Sequence, residues 1–416
     1  MRGRTDADTA EQLQRRLIDM LAGDGAPDDA SVHAAIHKLL SEDRTLPLLT
    51  VSGRKALAQQ LFKSVRRLDI LQELLDDPTV TEIMVNGPDR IFFERGGRLQ
   101  RWDRTFSSPE KLEDVIRQIA GRCNHVINES SPIVDARLPD GSRVNAVIAP
   151  AALNGPILTI RRFPDVPITV RQLIRLGSLT EEAADFLEKA VVSGYSILIS
   201  GGTSAGKTTF LNALSHFIPA SERIITIEDN AELQIQGIDN LVRLEAKAAN
   251  MDGDTEVTIR DLIRSALRMR PDRIIVGEVR GAEAIDMLQA LNTGHDGSMS
   301  TLHANSAEDA LSRLETMVLT GFPLPLPAIR RQITSGVDLI VHLGRLPDHT
   351  RHVLEIAEMS GGEDSPLHPL FRWDYSRDRL LRCGELRHTE KLCRAGIFPP
   401  DTGRNRHTEP SKADGK

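Results

Sequence analysis

The sequence predicts an α/β protein built from two domains of different texture. From about residue 180 onward, apolar strands alternate with amphipathic helices, which indicates a parallel sheet covered on both faces. Between about 80 and 165, short β-rich segments are broken by glycines and flank one helix, which predicts a separate α+β domain. A chain of 416 residues is long enough for two or three domains.

The first part of the chain has helical character. Residues 1–52 are predicted to be a variable region of short amphipathic helices, and 54–76 carries leucines and a valine at helical spacing, as one helix or a helix pair. The α+β domain then follows, and with this helical start it is placed at 53–165. Its elements are the strands TEIMVNG, RIFFERGG and RLQRW, a helix over about 110–122, a hairpin of IVDARL and RVNAVIA, and the strand TIRRF.

A stiff linker at 166–180 is predicted to lead into the second domain at 181–394. There, helices precede four strands in turn, namely YSILIS, RIITIE, RIIVGE and SMSTLH. Two more strands are expected at 338–345 and 351–359. Residues 395–416 are polar and contain proline and glycine, which predicts a disordered tail.

Bulk properties exclude several classes of protein. The net charge of −7 disfavours a dedicated nucleic-acid binder, so no direct nucleic-acid contact is expected. Cys383, His388 and Cys393 match no standard zinc module, and no zinc is expected. The N-terminus lacks the apolar core of a signal peptide, and no apolar run reaches the length of a membrane helix. A cytoplasmic protein that reaches a membrane through partners is therefore expected.

The strongest motif is GGTSAGKTT at 201–209, which fits GxxxxGK[ST] between an apolar strand and a helix. Its glycines let backbone N–H groups curl around a phosphate, and the helix N-terminus adds partial positive charge. The alternative is a glycine-rich turn that matches by chance. The predicted nucleotide-binding residues are Gly201, Gly202, Thr203, Ser204, Ala205, Gly206, Lys207, Thr208 and Thr209.

A second strand, RIIVGE, delivers Glu278 to the carboxyl edge of the sheet, where ligands bind in open α/β folds. Many P-loop enzymes have an aspartate before this glutamate that holds Mg²⁺, but this chain has Gly277. Glu278 is therefore predicted to be the base that activates water. The alternative is a carboxylate that interacts with a helix dipole.

A third strand ends in TIEDNAEL, in which Glu228, Asp229 and Glu232 stand close together. Like charges at this spacing repel unless a cation is near. Together with Thr208, these carboxylates are predicted to bind Mg²⁺, partly through water. The alternative is a solvated acidic loop.

The fourth strand ends at His303, within GSMSTLHANSAED. If the four strands share one sheet, Lys207, Glu228, Glu278 and His303 lie along one edge. An imidazole at this place can hydrogen-bond a γ-phosphate or the attacking water, and so report whether that phosphate is present. The alternative is a packed or helix-capping histidine.

These four blocks, in this order, resemble the type II/type IV secretion ATPases, or traffic ATPases, over roughly residues 70–360. They correspond to the family's Walker A motif (201–208), Asp box (Glu228, Asp229, Glu232), atypical Walker B motif (Glu278) and His box (His303). The run from 256 to 306 most resembles the CpaF-type ATPases of Flp/Tad pilus assembly.

The resemblance implies a hexameric ring in which a PAS-like N-terminal domain is joined to a RecA-like P-loop domain, with ATP and Mg²⁺ between them. It also implies that arginines of the N-terminal domain reach the γ-phosphate. Arg143, Arg161 and Arg162 are the candidates, and the alternative is that they line an exposed hairpin face. Inner-membrane platform proteins are the implied partners, with the enzyme docked peripherally at that membrane.

Two departures from the family bear on the function. The chain lacks the CxxC…CxxC zinc module that many type II secretion relatives carry, which favours the CpaF and conjugation branch. It also has EAKAAN at 245–250 where many CpaF relatives have ETRPPN, and Lys247 cannot copy a bidentate arginine contact. The function expected is an ATP-hydrolysing motor for a Flp/Tad-type pilus or related secretion. The alternatives are an ATPase of a conjugation-like type IV system, a non-catalytic ATP-binding regulator and a DNA-handling ATPase.

Overall fold

A computed structural model describes residues 68–123, 125–138, 140–162, 167–247, 256–361 and 366–397, with helix α1 (Asp29–Glu42) and scattered positions between 13 and 62. The chain divides into two compact units, Met1–Pro164 and Asp165–Lys416. Both the predicted N-terminal region at 1–52 and the predicted tail at 395–416 lie mostly outside the described residues. The remaining boundaries of the predicted domains stay predictions.

The first unit is built on an antiparallel sheet of six strands in the order β3-β2-β1-β6-β5-β4. Every strand pair in it is antiparallel. The elements after α1 are α2 (Leu71–Asp76), β1 (Val80–Asn86), β2 (Ile91–Arg95), β3 (Arg98–Arg101), α3 (Pro109–Arg122), β4 (Ile133–Arg137), β5 (Arg143–Val147) and β6 (Ile157–Arg161).

Helix α3 covers this sheet because its sequence specifies both its start and its buried face. The hydroxyl of Ser108 accepts a hydrogen bond from the backbone N–H of Lys111, and Pro109 occupies the first helical turn. Apolar side chains three and four residues apart then pack against alternate residues of the strands. The sequence prediction of an α+β domain with one helix at about 110–122 is confirmed.

The second unit holds a mixed sheet of nine strands in the order β15-β14-β13-β12-β7-β11-β10-β8-β9. Its strands are β7 (Ile197–Gly201), β8 (Ile224–Glu228), β9 (Leu241–Glu245), β10 (Arg273–Val276), β11 (Met299–His303), β12 (Leu339–Arg345), β13 (Arg351–Met359), β14 (Leu367–Asp374) and β15 (Arg379–Arg382). Its helices are α4 (Val170–Arg175), α5 (Glu181–Val192), α6 (Lys207–Ser215), α7 (Ile259–Ala266), α8 (Ala284–Leu291), α9 (Ala307–Gly321), α10 (Leu326–Gly336) and α11 (Glu390–Arg394).

The six strands from β12 to β9 in this order are parallel, and three further strands extend the β12 side antiparallel. Strands β7, β8 and β10 are buried along their whole length because helices cover both faces. Helices α4 to α6 pack on one face, and α7 to α10 pack on the other. The predicted α/β class is confirmed.

Several elements of this unit were not predicted from the sequence. They are β9, β14, β15 and α10, and each of them is short, partly exposed or placed between turns. The predicted linker at 166–180 contains helix α4, which is capped by Thr169 and buries Val170 and Leu173 in the core of the second unit. No helix in the described part of the chain is both long enough and apolar enough to cross a bilayer.

Candidate nucleotide-binding site

The glycine-rich loop connects the end of β7 to the start of α6, as its sequence predicts. Two of its residues have left-handed backbones, Ser204 with a φ of 59° and Gly206 with a φ of 92°. A Cβ atom at Gly201 would lie 2.6 Å from the carbonyl oxygen of Leu343 on β12. Glycine at 201 therefore lets the chain leave the sheet close to β12. The loop then leads directly into the N-terminus of α6.

Lys207 is the first residue of α6 and is nearly buried, with 8% of its surface exposed. Its Nζ donates to the carbonyl oxygens of Gly201 and Gly202, each at 3.2 Å. The same Nζ lies 3.3 Å from Nε2 and 3.4 Å from Nδ1 of His303. The lysine is thus held inside its own loop, next to the imidazole.

The strand register brings the predicted site residues to one edge of the sheet. His303 on β11 stands directly opposite Gly201 on β7. Strand β10 lies between β11 and β8, so Glu278 and Glu228 follow on neighbouring strands. The structure therefore places Lys207, His303, Glu278 and Glu228 along one edge, in the arrangement expected if the four strands share a sheet.

Glu278 is held between His303 and Arg280. Its Oε2 accepts a hydrogen bond of 2.7 Å from Nη2 of Arg280. Its Oε1 lies 2.8 Å from Nε2 of His303, but the approach is not aligned as a hydrogen bond, and this buried oxygen has no aligned donor among the described residues. One carboxylate oxygen is thus fixed by the guanidinium, and the other has a lone pair left for a proton.

The surroundings of His303 favour its neutral form. Burial lowers the pKa of its imidazole, and the positive charge of Lys207 lowers it further, while Glu278 acts in the opposite direction. A neutral ring at pH 7 has one nitrogen that can accept a hydrogen bond, and it does not repel the lysine. His303 can therefore accept from Lys207 or from a water molecule at this edge.

Glu228 ends β8 and is 3% exposed. Its Oε2 accepts from the backbone N–H groups of Glu232 at 2.7 Å and Leu233 at 2.9 Å, whereas its buried Oε1 has no hydrogen-bond partner in the described structure. Burial raises the pKa of Glu228 to about 7, and the two N–H donors oppose that rise. A bound cation would stabilise the charged form, which the protein alone stabilises poorly.

Gly277, just past one strand, leaves room for the side chain of Glu228 on the next. A Cβ atom at Gly277 would lie 2.9 Å from Cγ of Glu228 and 3.5 Å from its Oε2. Glu228 therefore fills the space that a side chain at 277 would need. The carboxylate beside position 277 is thus that of Glu228, which comes from the neighbouring strand β8.

The other two carboxylates of the acidic run are arranged differently from Glu228. Asp229 faces Arg280, with 3.6 Å between Oδ2 and Nη1, and Glu232 offers its backbone N–H to Glu228. Among the described residues, no group of three or more His, Cys, Asp and Glu side chains is placed to hold a metal ion. The run is therefore not a preformed metal cage, and any Mg²⁺ would need further oxygen ligands.

The three candidate arginines lie in the first unit and differ in their contacts. Arg143 on β5 forms a two-point ion pair with Asp135, through Nε at 3.1 Å and Nη2 at 2.6 Å. The guanidinium of Arg162 donates to the carbonyl oxygens of Asp77 and Val80, which ties the end of β6 to the start of β1.

Arg161 ends β6, is exposed, and stands opposite Glu82 on β1. Burial raises the pKa of Glu82, and the charge of Arg161 opposes this rise. Within the first unit, Arg161 is the candidate whose guanidinium is least committed to neighbouring groups.

Sequence reasoning overlooked Arg280, which touches both Glu278 and Asp229. The sequence signal that pointed to it was its position two residues after Glu278, because a nearby positive charge favours the ionised form of a carboxylate.

The EAKAAN segment, which departs from the family pattern, is described up to Lys247, whose backbone pairs with Val257. Residues 248–250 of that segment lie outside the described residues.

Comparison with known proteins places these features in a family. The model of a family described as "Type II/IV secretion system protein" matches residues 65–390. A putative conjugal transfer protein of Mycobacterium tuberculosis is 35% identical over 300 residues, which cover 71% of this chain and 85% of that protein. The type IV secretion system protein VirB11 of Brucella suis is 36% identical over 318 residues, covering 70% of this chain and 88% of that protein.

Among solved structures, the Legionella pneumophila ATPase DotB superposes with a TM-score of 0.53 at 23% identity, over 72% of this chain and 80% of that one. At this identity the match supports the fold alone. It agrees with the α/β architecture that the strand order shows.

Proposed function

The chain belongs to the type II/IV secretion system protein family, and we propose that it is the ATPase of a type IV secretion or conjugal-transfer apparatus. As a member of this family it is a nucleoside-triphosphate hydrolase that binds ATP. The observation that carries the catalytic part of the proposal is the continuous contact from Lys207 through His303 to Glu278 at the edge of the sheet. A lysine, a neutral imidazole and a carboxylate in that order match the needs of phosphoryl transfer to water.

The loop between β7 and α6 binds the phosphates of ATP through its backbone N–H groups and the positive helix N-terminus. Lys207 leaves the carbonyl oxygens of Gly201 and Gly202 and donates to the β- and γ-phosphates, because a phosphate oxygen is a stronger acceptor than a carbonyl. The exchange keeps the ammonium hydrogen-bonded in both states. Nucleotide binding therefore costs little desolvation at this lysine.

Glu278 acts as the general base toward the attacking water. Arg280 holds its Oε2 at 2.7 Å, which orients the carboxylate and leaves Oε1 facing His303. A proton taken from water would go to that oxygen. A positioned base of this kind accounts for about 10²–10⁴ in rate.

The site also fits Mg²⁺, which we propose is held by Thr208, Glu228 and the phosphates, with Asp229 acting through water. Mg²⁺ prefers one or two carboxylates, substrate phosphates and several waters to a cage made of protein alone. The observation that supports this fit is the buried Oε1 of Glu228, which has no hydrogen-bond partner among the residues that the structure describes. When bound, the cation supplies positive charge against the triphosphate. Glu232 serves the site through its backbone N–H.

His303 is proposed to sense the γ-phosphate. It lies between Lys207, which binds the phosphate, and Glu278, which takes the proton of the attacking water, so release of Lys207 from the ring changes the surroundings of Glu278. The ring supports catalysis without being the base, since Glu278 is better placed for that role. A non-catalytic ATP-binding regulator would not need this retained set of lysine, histidine and glutamate.

We further propose that the working form is a hexameric ring docked at the inner membrane on platform proteins. Arg161 is the preferred arginine finger, because Arg143 and Arg162 are already hydrogen-bonded within their own unit. An added guanidinium stabilises charge on the transferring phosphoryl group. Native mass measurement with nucleotide is expected to show six copies, and a stable monomer with full turnover would contradict an arginine acting between copies.

The type of secretion system that we propose is taken from the functions named for the relatives. The putative conjugal transfer protein and VirB11 support a type IV or conjugation-like system, which was the alternative expected from the sequence. The Flp/Tad pilus function suggested by residues 256–306 has no specific support from these relatives. Pilus assembly is retained as the second candidate on that stretch of sequence.

The test deletes the gene in its host and restores either the wild-type chain or Glu278→Gln. DNA transfer, protein export and surface pilin are measured in each strain. Loss of transfer or export with normal surface pilin, restored by the wild type alone, is expected. Loss of surface pilin with normal transfer and export would support the pilus motor instead. Full rescue by Glu278→Gln would contradict an ATP-driven role.

A further inference from the structure

Arg351, the first residue of β13, contacts the phosphate-binding loop from outside the known motifs. Its Nε donates to the carbonyl oxygen of Ser204 at 2.8 Å. Its Cδ lies where it would be 3.4 Å from a Cβ atom at Gly206. The side chain thus covers both loop residues that have left-handed backbones.

These two loop residues need external support. Ser204 is not glycine, and a left-handed φ costs a serine energy that the surrounding structure must offset. A hydrogen bond from a charged donor to a carbonyl is stronger than one between two neutral groups. Here the carbonyl that accepts it belongs to Ser204 itself. The contact therefore stabilises the turn in its left-handed conformation.

The arginine itself is presented by the hairpin of β12 and β13. Strand β12 pairs with β7 so that Leu343 lies opposite Gly201, and β13 folds back on β12 so that Arg351 lies opposite Arg345. The intervening turn is closed by Asp348, whose Oδ1 accepts from the backbone N–H of Thr350 at 2.9 Å. One residue further on, His352 bonds the carbonyl of Gly177 and packs on Trp373.

The positive charge of Arg351 also favours binding of a negatively charged phosphate at the loop. In the described part of the structure, its guanidinium makes this one hydrogen bond and no ion pair with an acid. Its positive charge is therefore not neutralised nearby, at a loop that receives a polyanion. Attraction of this kind is stronger beside a half-buried site than in free solution.

We propose that Arg351 is a positioning residue for nucleotide binding, which holds the Ser204–Gly206 turn in the form that receives the phosphates. It does not act on the γ-phosphate, so its loss weakens ATP and ADP binding alike. This distinguishes it from His303 and Glu278, whose loss affects turnover. The inference rests on nucleotide binding at the loop but not on hydrolysis or on the type of secretion machine.

The experiment measures the affinity of the full-length chain for ADP and for a non-hydrolysable ATP analogue by titration calorimetry. Arg351→Gln is expected to weaken both about tenfold, with KM for ATP raised more than kcat is lowered. Arg351→Lys, which keeps the charge and can still donate to Ser204, is expected to restore most of the affinity.

Arg372→Gln is the matched control, because Arg372 lies on the same antiparallel extension and bonds Glu355 at 2.9 Å. It is expected to leave both affinities at the wild-type value. Wild-type affinities in Arg351→Gln would overturn the proposal. Equal losses of melting temperature and affinity in the Arg351 and Arg372 variants would also overturn it, by showing a structural role.

Discussion

The imidazole of His303 lies between the ammonium of Lys207 and the carboxylate of Glu278, at 3.3 Å and 2.8 Å. Arg280 extends this contact from Glu278 to Asp229. Residues from all four sequence motifs are therefore linked through side chains of the protein itself. A phosphate that withdraws Lys207 from the ring would remove one positive charge from the neighbourhood of Glu278, the proposed base.

Replacement of Glu278 by glutamine is expected to lower kcat for ATP hydrolysis by about 10²–10⁴ and to leave ATP binding intact. The amide keeps the size of the side chain but cannot take the proton of water. Phosphate release and nucleotide titration check the two halves of this prediction. Glu188→Gln, on the exposed face of α5, is the control and should keep wild-type turnover. Equal turnover in the Glu278 variant and the wild type would exclude Glu278 as the base.

Replacement of His303 by alanine is expected to slow hydrolysis about tenfold or more while ATP affinity changes little, because the ring contacts Lys207 and Glu278 rather than the loop amides. Phosphate release and nucleotide titration measure the two quantities. His368→Ala, on β14, is the matched control. Unchanged hydrolysis in His303→Ala would return this residue to a packing role.

Protonation of the His303 imidazole is expected to make ATP turnover depend on pH. Burial and Lys207 lower the pKa of His303 from 6.5, so the ring is neutral at pH 7 and gains its proton only in more acidic solution. The protonated ring repels Lys207 and cannot accept from it. Turnover at saturating ATP should therefore fall in solutions more acidic than pH 6.5, the ordinary pKa of imidazole, and more steeply in the wild type than in His303→Gln. Parallel acid limbs in both proteins would assign the loss to another group.

Among the arginines of the first unit, Arg161→Ala is expected to lower kcat most, by up to about 10³, with little change in melting temperature. Arg162→Ala should instead lower the melting temperature, because the hydrogen bonds from the guanidinium to the carbonyl groups of Asp77 and Val80 are lost. Thermal melts and phosphate release separate the two effects. A larger catalytic loss in Arg143→Ala, with its Asp135 ion pair removed, would transfer the finger role to Arg143.

Glu228 makes the nucleotide-free protein less stable as the pH rises from 4.5 to about 7. Burial raises its folded-state pKa from 4.5 to about 7, so the folded state holds the proton more tightly than the unfolded chain does. The contribution of protonated Glu228 to the free energy of unfolding is fully present below pH 4.5, and it is lost as the pH rises through 7. The total loss is at most about 3 kcal/mol.

Glu228→Gln cannot ionise and should therefore gain stability relative to the wild type between pH 5 and pH 8, by denaturant unfolding without nucleotide. A stability difference that stays constant over this range would show that Glu228 is charged throughout. The same variant is expected to bind Mg²⁺-ATP more weakly, because one of the proposed metal ligands is lost.

Much of the fold could be predicted because its signals are local. Alternation of apolar strands and amphipathic helices specifies a parallel sheet, and a glycine-rich loop between a strand and a helix specifies a phosphate site. The ends of four such strands then belong at one edge, so the strand pattern alone predicts that Lys207, Glu228, Glu278 and His303 lie together. The antiparallel strands β14 and β15 lacked such a signal, since β14 contains Pro369 and β15 has only four residues.

The type of chemistry can be predicted from the amino-acid sequence, because each motif carries its reactive group at or just past the end of its own strand. Which of these groups touch depends on the folded structure. Gly277 makes room for Glu228 through the pairing of β10 with β8, and Arg351 reaches Ser204 across 147 positions of sequence separation. Such contacts depend on strand register and on the shape of the neighbouring backbone, and neither property is local to the residues that make them.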